Sequence, residues 1–199
     1  MALIDVKFYS EALGMQTEAY VVLPQKDTAG EIGIAQNASD KKYPVLYLLH
    51  GLSDDHSIWL RRTSIERYAT EYGICVVMPC GHRSFYTDMK YGIDFFRHTA
   101  DELPQIVHEF FPGISTKPED TFVAGLSMGG FGAFKLGILR PDKFAAVASL
   151  SGAVDLLSSF PEDEPDKDAP GFFGHIYGSY NDLKDSVNDL PVQMEELLK

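Results

Sequence analysis

The chain of 199 residues has little cysteine, with Cys75 and Cys80 as the only two. Cys75 lies in an apolar, strand-like run over residues 74–78. If the backbone stays extended as far as Cys80, the two residues are about 16 Å apart, which is too far for a disulfide bond. Freedom from disulfides is typical of a reducing compartment, so we expect the protein to be cytoplasmic.

Basic residues are also scarce. The sequence has 17 lysines and arginines against 29 aspartates and glutamates, which gives a formal net charge of −12 at pH 7. Nucleic acids and anionic membrane surfaces attract clusters of Lys and Arg, so we expect neither as a partner. The charge balance fits a small-molecule substrate. The sequence leaves the oligomeric state open, a homo-oligomer included.

Long apolar runs and several familiar motifs are missing. Residues 1–5 lack the basic start of a secretion signal, and no run approaches the roughly 20 apolar residues of a membrane helix. The metal-binding spacings C-x₂-C and H-E-x-x-H do not occur, and no glycine-rich loop carries the lysine of a phosphate-binding loop. We therefore expect no cofactor and no metal.

Short apolar runs recur along the chain and predict the strands of one sheet. Apolar and polar residues alternate over residues 4–8 and 17–23, which predicts an antiparallel pair at a sheet edge. Continuous apolar runs are typical of parallel strands that are covered on both faces. These runs occupy residues 45–49, 74–78, 121–125 and 144–150.

Helical patterns alternate with the parallel strands. They cover residues 64–72, 94–111 and 127–139. Gly73 is expected to end the first helix, and Pro104 interrupts the second, where we expect a kink or a restarted helix. The polar segment 24–43 predicts a loop, and short helices are expected over 171–177 and 191–199. Strands alternating with helices predict an α/β fold, here as a single domain over residues 1–199.

One motif between a predicted strand and a predicted helix carries chemistry. Gly125-Leu126-Ser127-Met128-Gly129 fits G-x-S-x-G, the nucleophile elbow of α/β-hydrolases, in which the serine sits on a strained turn. The flanking residues are glycines because a Cβ would clash there. The turn lifts the Ser127 hydroxyl out of the sheet and presents the N–H of Met128 to an oxyanion. A plain Gly/Ser-rich turn is the alternative interpretation.

A second motif, His50-Gly51-Leu52-Ser53, follows the apolar run 45–49. In α/β-hydrolases the loop after the third strand donates the other N–H to the oxyanion. Leu52 is the natural donor here, and Gly51 lets the backbone pass close to a substrate. An ordinary glycine at a strand end is the alternative. With the downstream serine motif in the expected order, we predict an oxyanion hole made by Leu52 and Met128.

Three stretches of the sequence resemble a known family. In chain order they are VLYLLHGLSDDHSIWLRRTSIERYA, YTDMKYGIDFFRHTADELPQIVHEFFP and TFVAGLSMGGFGAFKLGILRPDKFAAVASLSGA. Across residues 1–157 the chain resembles the tributyrin esterase branch of the esterase D family, which includes S-formylglutathione hydrolases. The resemblance implies an α/β-hydrolase fold, with a mostly parallel central sheet and helices on both faces. It also implies a cytosolic serine carboxylesterase acting on short acyl esters, with Ser127 as nucleophile.

Two alternatives stay open beside the carboxylesterase. The first is a thioesterase of the S-formylglutathione hydrolase type, which uses the same chemistry. The second is a non-catalytic pseudo-esterase that binds ligands or partners. The aromatic residues Trp59, Phe85, Tyr86 and Tyr91 either shape an acyl or alcohol pocket or pack their own loops.

The sequence departs from the family after the serine. A serine hydrolase of this fold needs an acid and then a histidine, both downstream of the nucleophile. His175 is the only histidine after Ser127, and we predict that His175 and Asp155 are both bystanders. We therefore expect a C-terminally truncated chain that lacks the last strands of the sheet, with the acid and histidine beyond Lys199. On this expectation, the 199 residues alone have little esterase activity.

The histidines upstream of Ser127 match no triad order. We expect His50 to form structural hydrogen bonds next to the predicted oxyanion loop. His56, His82, His98 and His108 have no assigned role. Cys80 has no evident base partner and is interpreted as a packing residue.

Overall fold

The computed structural model describes residues 1–25 and 42–199, so most of the loop predicted over residues 24–43 lies outside the described residues. The described chain forms one six-stranded sheet with the strand order β1-β2-β4-β3-β5-β6. The strands are β1 (Ala2–Ser10), β2 (Met15–Leu23), β3 (Val45–Leu49), β4 (Cys75–Pro79), β5 (Thr121–Leu126) and β6 (Ala146–Leu150).

The sheet is parallel except at one edge. β1 and β2 form an antiparallel hairpin closed by Gly14, whose φ of 65° is left-handed and whose N–H donates to the carbonyl of Ser10 at 2.9 Å. β2 is antiparallel to β4, whereas β4, β3, β5 and β6 run parallel to one another. The predicted antiparallel edge pair and the predicted parallel strands are both confirmed.

Helices cover both faces of this sheet. The α-helices are α1 (Ile58–Arg62), α2 (Ile65–Tyr72), α3 (Phe95–Arg97), α4 (Leu103–Phe110), α5 (Met128–Leu139), α6 (Phe172–Tyr177), α7 (Tyr180–Leu183) and α8 (Leu190–Leu197). As predicted, α2 ends at Gly73, which adopts a left-handed conformation with φ 64°. The sequence pattern did not predict α1 and α7, which have five and four residues.

The core alternates along the central strands because successive side chains point to opposite faces. On β3, Val45, Tyr47 and Leu49 belong to one buried cluster, and Leu48 belongs to a second. β4 divides in the same way. The larger cluster includes Phe131 and Leu136 of α5 on one face, and the smaller cluster contacts α1 and α2 on the other.

The helix predicted over residues 94–111 changes hydrogen-bond register before Pro104. Residues His98–Glu102 form a π-turn between α3 and α4, and the N–H of Leu103 donates to the carbonyl of His98, five residues earlier. Pro104 has no N–H to donate, so it fits the first turn of a restarted helix. The predicted interruption is therefore confirmed, and a π-turn accomplishes it.

The last strand differs slightly from its prediction. β6 begins at Ala146, two residues after the predicted start at Phe144. The Phe144 side chain is buried and meets the Tyr47 ring edge-on at 6.4 Å, so Phe144 serves the core and not the strand ladder. β6 itself is an outer strand of the described sheet, and Val147 and Leu150 on it are exposed.

No helix among the described residues combines the length and the apolarity that a membrane crossing requires. The two cysteines are both free and buried, as the predicted extended segment between them requires.

A lysine lies buried in α5, among apolar residues. Lys135 is 2% exposed, and its Nζ donates to Thr87 Oγ1 at 3.1 Å and to Asn188 Oδ1 at 2.5 Å. The same ammonium lies 4.7 Å from the centre of the Phe96 ring. Burial penalises the charged form and lowers the pKa of Lys135 to about 7, although Asp88 opposes the shift.

This depressed pKa makes stability depend on pH. Between about pH 7 and 10.5 the unfolded chain keeps a proton on Lys135 that the folded chain has released, so the free energy of unfolding rises with pH. Relative to Lys135→Met, wild type should gain about 2 kcal/mol between pH 7 and pH 9. Urea unfolding of both proteins across this range measures the gain. The exposed Lys117→Met is the control. The prediction would be contradicted if the stability of wild type relative to each of the two variants stayed constant across this pH range.

Candidate active site

The turn between β5 and α5 holds Ser127 in a strained conformation. Its φ of 54° and ψ of −112° lie in a region that residues other than glycine rarely adopt. The Ser127 N–H donates to the carbonyl of Leu150 at 2.9 Å, and the Ser127 carbonyl accepts from the N–H of Phe131 at 3.0 Å. The neighbouring strand and the following helix therefore fix the turn, and Ser127 itself is exposed.

The two glycines of the motif are required because three backbone segments approach one another closely. A Cβ on Gly125 would lie 2.1 Å from the carbonyl oxygen of Gly129. A Cβ on Gly129 would lie 2.4 Å from the carbonyl oxygen of Leu49, at the end of β3. The first turn of α5 thus rests directly on the ends of β5 and β3, and this packing presents Ser127 at the carboxyl edge of the sheet.

The loop after β3 lies against the serine. A Cβ on Gly51 would be 4.0 Å from the Cβ of Ser127, so the two predicted motifs meet in space. Among the described residues, the N–H of Leu52 has no acceptor. Met128 is the first residue of α5, where a backbone N–H has no partner within the helix. Two backbone donors are therefore free on the segments that flank Ser127.

His50 anchors this loop through both ring nitrogens. Nδ1 lies 2.8 Å from the carbonyl oxygen of Gly51, which can only accept, so Nδ1 carries the proton. Nε2 accepts from the N–H of Gly81 at 2.8 Å. The carbonyl of His50 also accepts from the Tyr86 hydroxyl at 3.2 Å. His50 is therefore a neutral structural histidine, in the role expected from the sequence, and has no free nitrogen for a serine proton.

His175 and Asp155, the downstream residues considered above, form no hydrogen bond with Ser127 in the described part of the chain. His175 is exposed on α6, and its backbone carbonyl accepts from the N–H of Tyr91 at 3.1 Å. Asp155 is exposed and accepts from the N–H of Ser158 at 3.5 Å. Within residues 1–25 and 42–199, no histidine forms a hydrogen bond with the Ser127 hydroxyl.

The aromatic residues of the neighbouring loops are mostly structural. Phe85 and Tyr86 are buried and have consecutive left-handed φ values of 53°. The Phe85 ring lies 5.7 Å from Phe131, and it also contacts rings of α6. The Trp59 indole N–H donates to the carbonyl of Leu49 at 3.1 Å. These three side chains therefore have packing contacts, whereas Tyr91 is exposed.

Comparisons with known proteins agree with this geometry. The Esterase family model, described as "Putative esterase", matches residues 10–186. An acetyl esterase of Caldicellulosiruptor saccharolyticus is 28% identical over 201 residues, which cover 99% of this chain and 74% of that protein.

Two solved structures from Staphylococcus aureus are similar over 99% of the chain. The fluorophosphonate-binding serine hydrolase FphF, solved with substrate bound, has a TM-score of 0.81 and 32% identity, and the match covers 73% of its chain. The S-formylglutathione hydrolase FrmB has a TM-score of 0.76 and 32% identity, with 74% of its chain covered.

The strained serine turn on a mostly parallel sheet defines an enzyme of the α/β-hydrolase fold. The chain belongs to the Esterase family and is a carboxylic ester hydrolase, and its resemblance to the esterase D family is confirmed.

The close backbone contact beneath Ser127 predicts a large cost for one methyl group. Gly125→Ala would place its Cβ against the backbone of Gly129, which cannot move without shifting α5. We expect the free energy of unfolding to fall by about 2 kcal/mol or more, as measured by urea denaturation. Gly113→Ala is the matched control, because a Cβ there meets no atom within 4 Å. Equal stability of the two variants would contradict the packing described.

Proposed function

We propose that the protein hydrolyses short-chain acyl esters, such as acetyl and butyryl esters of the tributyrin type, through an acyl-enzyme on Ser127. The observation that carries this proposal is an exposed serine, held in a left-handed turn, between two segments with free backbone donors. The name of the acetyl esterase from Caldicellulosiruptor saccharolyticus supports a short acyl group.

The proposed reaction begins with attack of Ser127 Oγ on the ester carbonyl carbon. The carbonyl oxygen gains negative charge as the tetrahedral intermediate forms, and the N–H groups of Leu52 and Met128 donate to it. Donors that are fixed before the reaction contribute about 3 kcal/mol each in such sites. The N-terminus of α5, a helix of 12 residues, adds a positive dipole end at the same place.

Collapse of the intermediate breaks the ester bond and releases the alcohol. Water then attacks the acyl group on Ser127, and a second tetrahedral intermediate releases the acid and restores the serine. A base must accept the serine proton in the first step. His50 does not fill this role, since both its ring nitrogens form hydrogen bonds to the backbone. We also propose that His175 and Asp155 are bystanders, since neither forms a hydrogen bond with Ser127 in the described part of the chain.

A thioester substrate is the second candidate. FrmB is described as an S-formylglutathione hydrolase and is 32% identical to this chain with a TM-score of 0.76, which favours this alternative. The same acyl-enzyme forms, and a thiolate leaves in place of an alkoxide. We propose a small-molecule ester or thioester as the partner in either case, and a cytoplasmic location, which two free cysteines support.

The nucleophile is tested with the protein expressed from its complete reading frame. We expect Ser127→Ala to lower kcat/KM for p-nitrophenyl butyrate at least about a thousand-fold and to abolish labelling by a fluorophosphonate probe. Ser64→Ala is the matched control, because Ser64 is exposed and its side chain forms no capping hydrogen bond. Full activity of Ser127→Ala would overturn the assignment.

The same preparation distinguishes the two substrate classes. A kcat/KM for p-nitrophenyl acetate and butyrate that exceeds the value for S-formylglutathione supports the carboxylesterase. A value for S-formylglutathione far above both esters supports the thioesterase. A folded wild-type protein that neither turns over these substrates nor reacts with the fluorophosphonate probe would support a ligand-binding pseudo-esterase.

A further inference from the structure

Three potential metal ligands meet at the antiparallel edge of the sheet. Glu18 lies on β2, Cys80 directly follows β4, and His56 lies on the loop after β3. One ligand atom from each residue lies within 4.8 Å of the other two. The N–H of Cys80 donates to the carbonyl of Glu18 at 3.0 Å, so the sheet ladder itself sets these two side chains next to each other. We name this group the Glu18–His56–Cys80 cluster.

The imidazole of His56 is buried with an unused nitrogen. Its side chain is 10% exposed, and Nδ1 is buried with no hydrogen-bond partner in the described part of the chain. Nδ1 lies 3.5 Å from Glu18 Oε1, within range of a charge interaction, and the ring meets Tyr20 edge-on at 4.6 Å. Buried polar atoms almost always have a partner, so an unused ring nitrogen beside a carboxylate indicates a ligand.

Glu18 and Cys80, the other two members of the cluster, also present ligand atoms to a cation. Lys7 Nζ donates a hydrogen bond to Glu18 Oε2 at 2.6 Å. The other carboxylate oxygen, Oε1, is the one that lies near His56. The charge of Lys7 is partly balanced by Asp5 at 3.6 Å. Cys80 is 4% exposed, and its Sγ lies in the cluster.

We propose that Glu18, His56 and Cys80 bind a divalent transition-metal ion, with Zn²⁺ as the preferred ion. Zinc combines thiolate, imidazole and carboxylate ligands at about 2.0–2.3 Å, and the three side chains offer one of each. Mg²⁺ and Ca²⁺ require sets of oxygen ligands, which this cluster does not supply. Binding releases the thiol proton of Cys80 to solvent.

The surroundings of the cluster provide access to it. A cleft of about 340 Å³ opens beside the cluster and is lined by Lys7, Gln16, Thr17, Glu18, Cys80 and His82. His82 is exposed, and its ring nitrogens lie 3.7 and 3.8 Å from Cys80 Sγ. Its backbone has a left-handed φ of 46°. A tetrahedral zinc site uses four ligands, and His82 or a water molecule would supply the fourth.

The ion would act as a brace for the loop that carries Leu52. His56 is on that loop. Cys80 precedes Gly81, whose N–H donates a hydrogen bond to Nε2 of His50 at the start of the same loop. A metal between them ties the loop to both β2 and β4. At a zinc concentration about 100-fold above Kd, we expect the thermal midpoint of wild type to rise by about 5 °C or more.

The test uses cobalt(II) chloride and zinc chloride as probes on chelator-treated protein at neutral pH. Cobalt bound to a thiolate gives a charge-transfer band in the near ultraviolet, and we expect this band to saturate at one cobalt per chain and to disappear when zinc is added. Cys80→Ser should abolish the band, and His56→Gln should weaken zinc binding at least about tenfold. Cys75→Ala is the matched control, since it removes the other thiol and leaves the cluster intact.

The result that would overturn the proposal is equally direct. A folded wild-type protein that shows no thiolate band in excess cobalt and no zinc-dependent shift of its thermal midpoint contradicts a site. A band that survives Cys80→Ser, or one that is lost in Cys75→Ala, places the thiolate elsewhere and does the same. Near-ultraviolet circular dichroism verifies that each variant is folded, and His56→Gln tests the site with Cys80 still present.

Discussion

Backbone-to-backbone contact at the start of α5 is the constraint on which this structure depends. The carbonyl oxygens of Leu49 and Gly129 occupy space that any side chain at Gly129 or Gly125 would need. Because no side chains intervene, the helix begins almost in contact with the ends of two strands. Ser127 is the single residue between β5 and α5, so it makes the turn by itself and takes a strained φ of 54°. Packing of the sheet therefore supports a conformation that the serine would not adopt by itself.

The second half of the site depends on hydrogen bonds and not on close packing. His50 joins its own loop to the loop after β4, through Gly51 on one nitrogen and Gly81 on the other. Tyr86 adds a hydroxyl from a segment that is buried despite lying outside regular structure. A neutral imidazole between two loops fixes their separation without placing a buried charge near a site where negative charge would develop.

Local patterns made much of this fold predictable. Alternating apolar and polar residues identified β1 and β2, and continuous apolar runs identified the four parallel strands. Gly125 with Gly129 identified the serine turn. Each of these signals lies within a few residues. The rest depends on contacts between distant segments. Phe85 and Tyr86 adopt left-handed φ values although neither is a glycine, so the sequence gives no local signal of them. Both side chains are buried, and their packing stabilises this conformation. The meeting of Glu18 with Cys80 follows from strand pairing, which no spacing in the sequence encodes.

The outer strand β6 has a consequence for the serine. Its backbone pairs with β5 on one side, and among the described residues no strand pairs with its other side. The carbonyl of Leu150, at the end of β6, accepts the N–H of Ser127. Any displacement of β6 relative to β5 would therefore reach the turn that carries Ser127 through this one hydrogen bond.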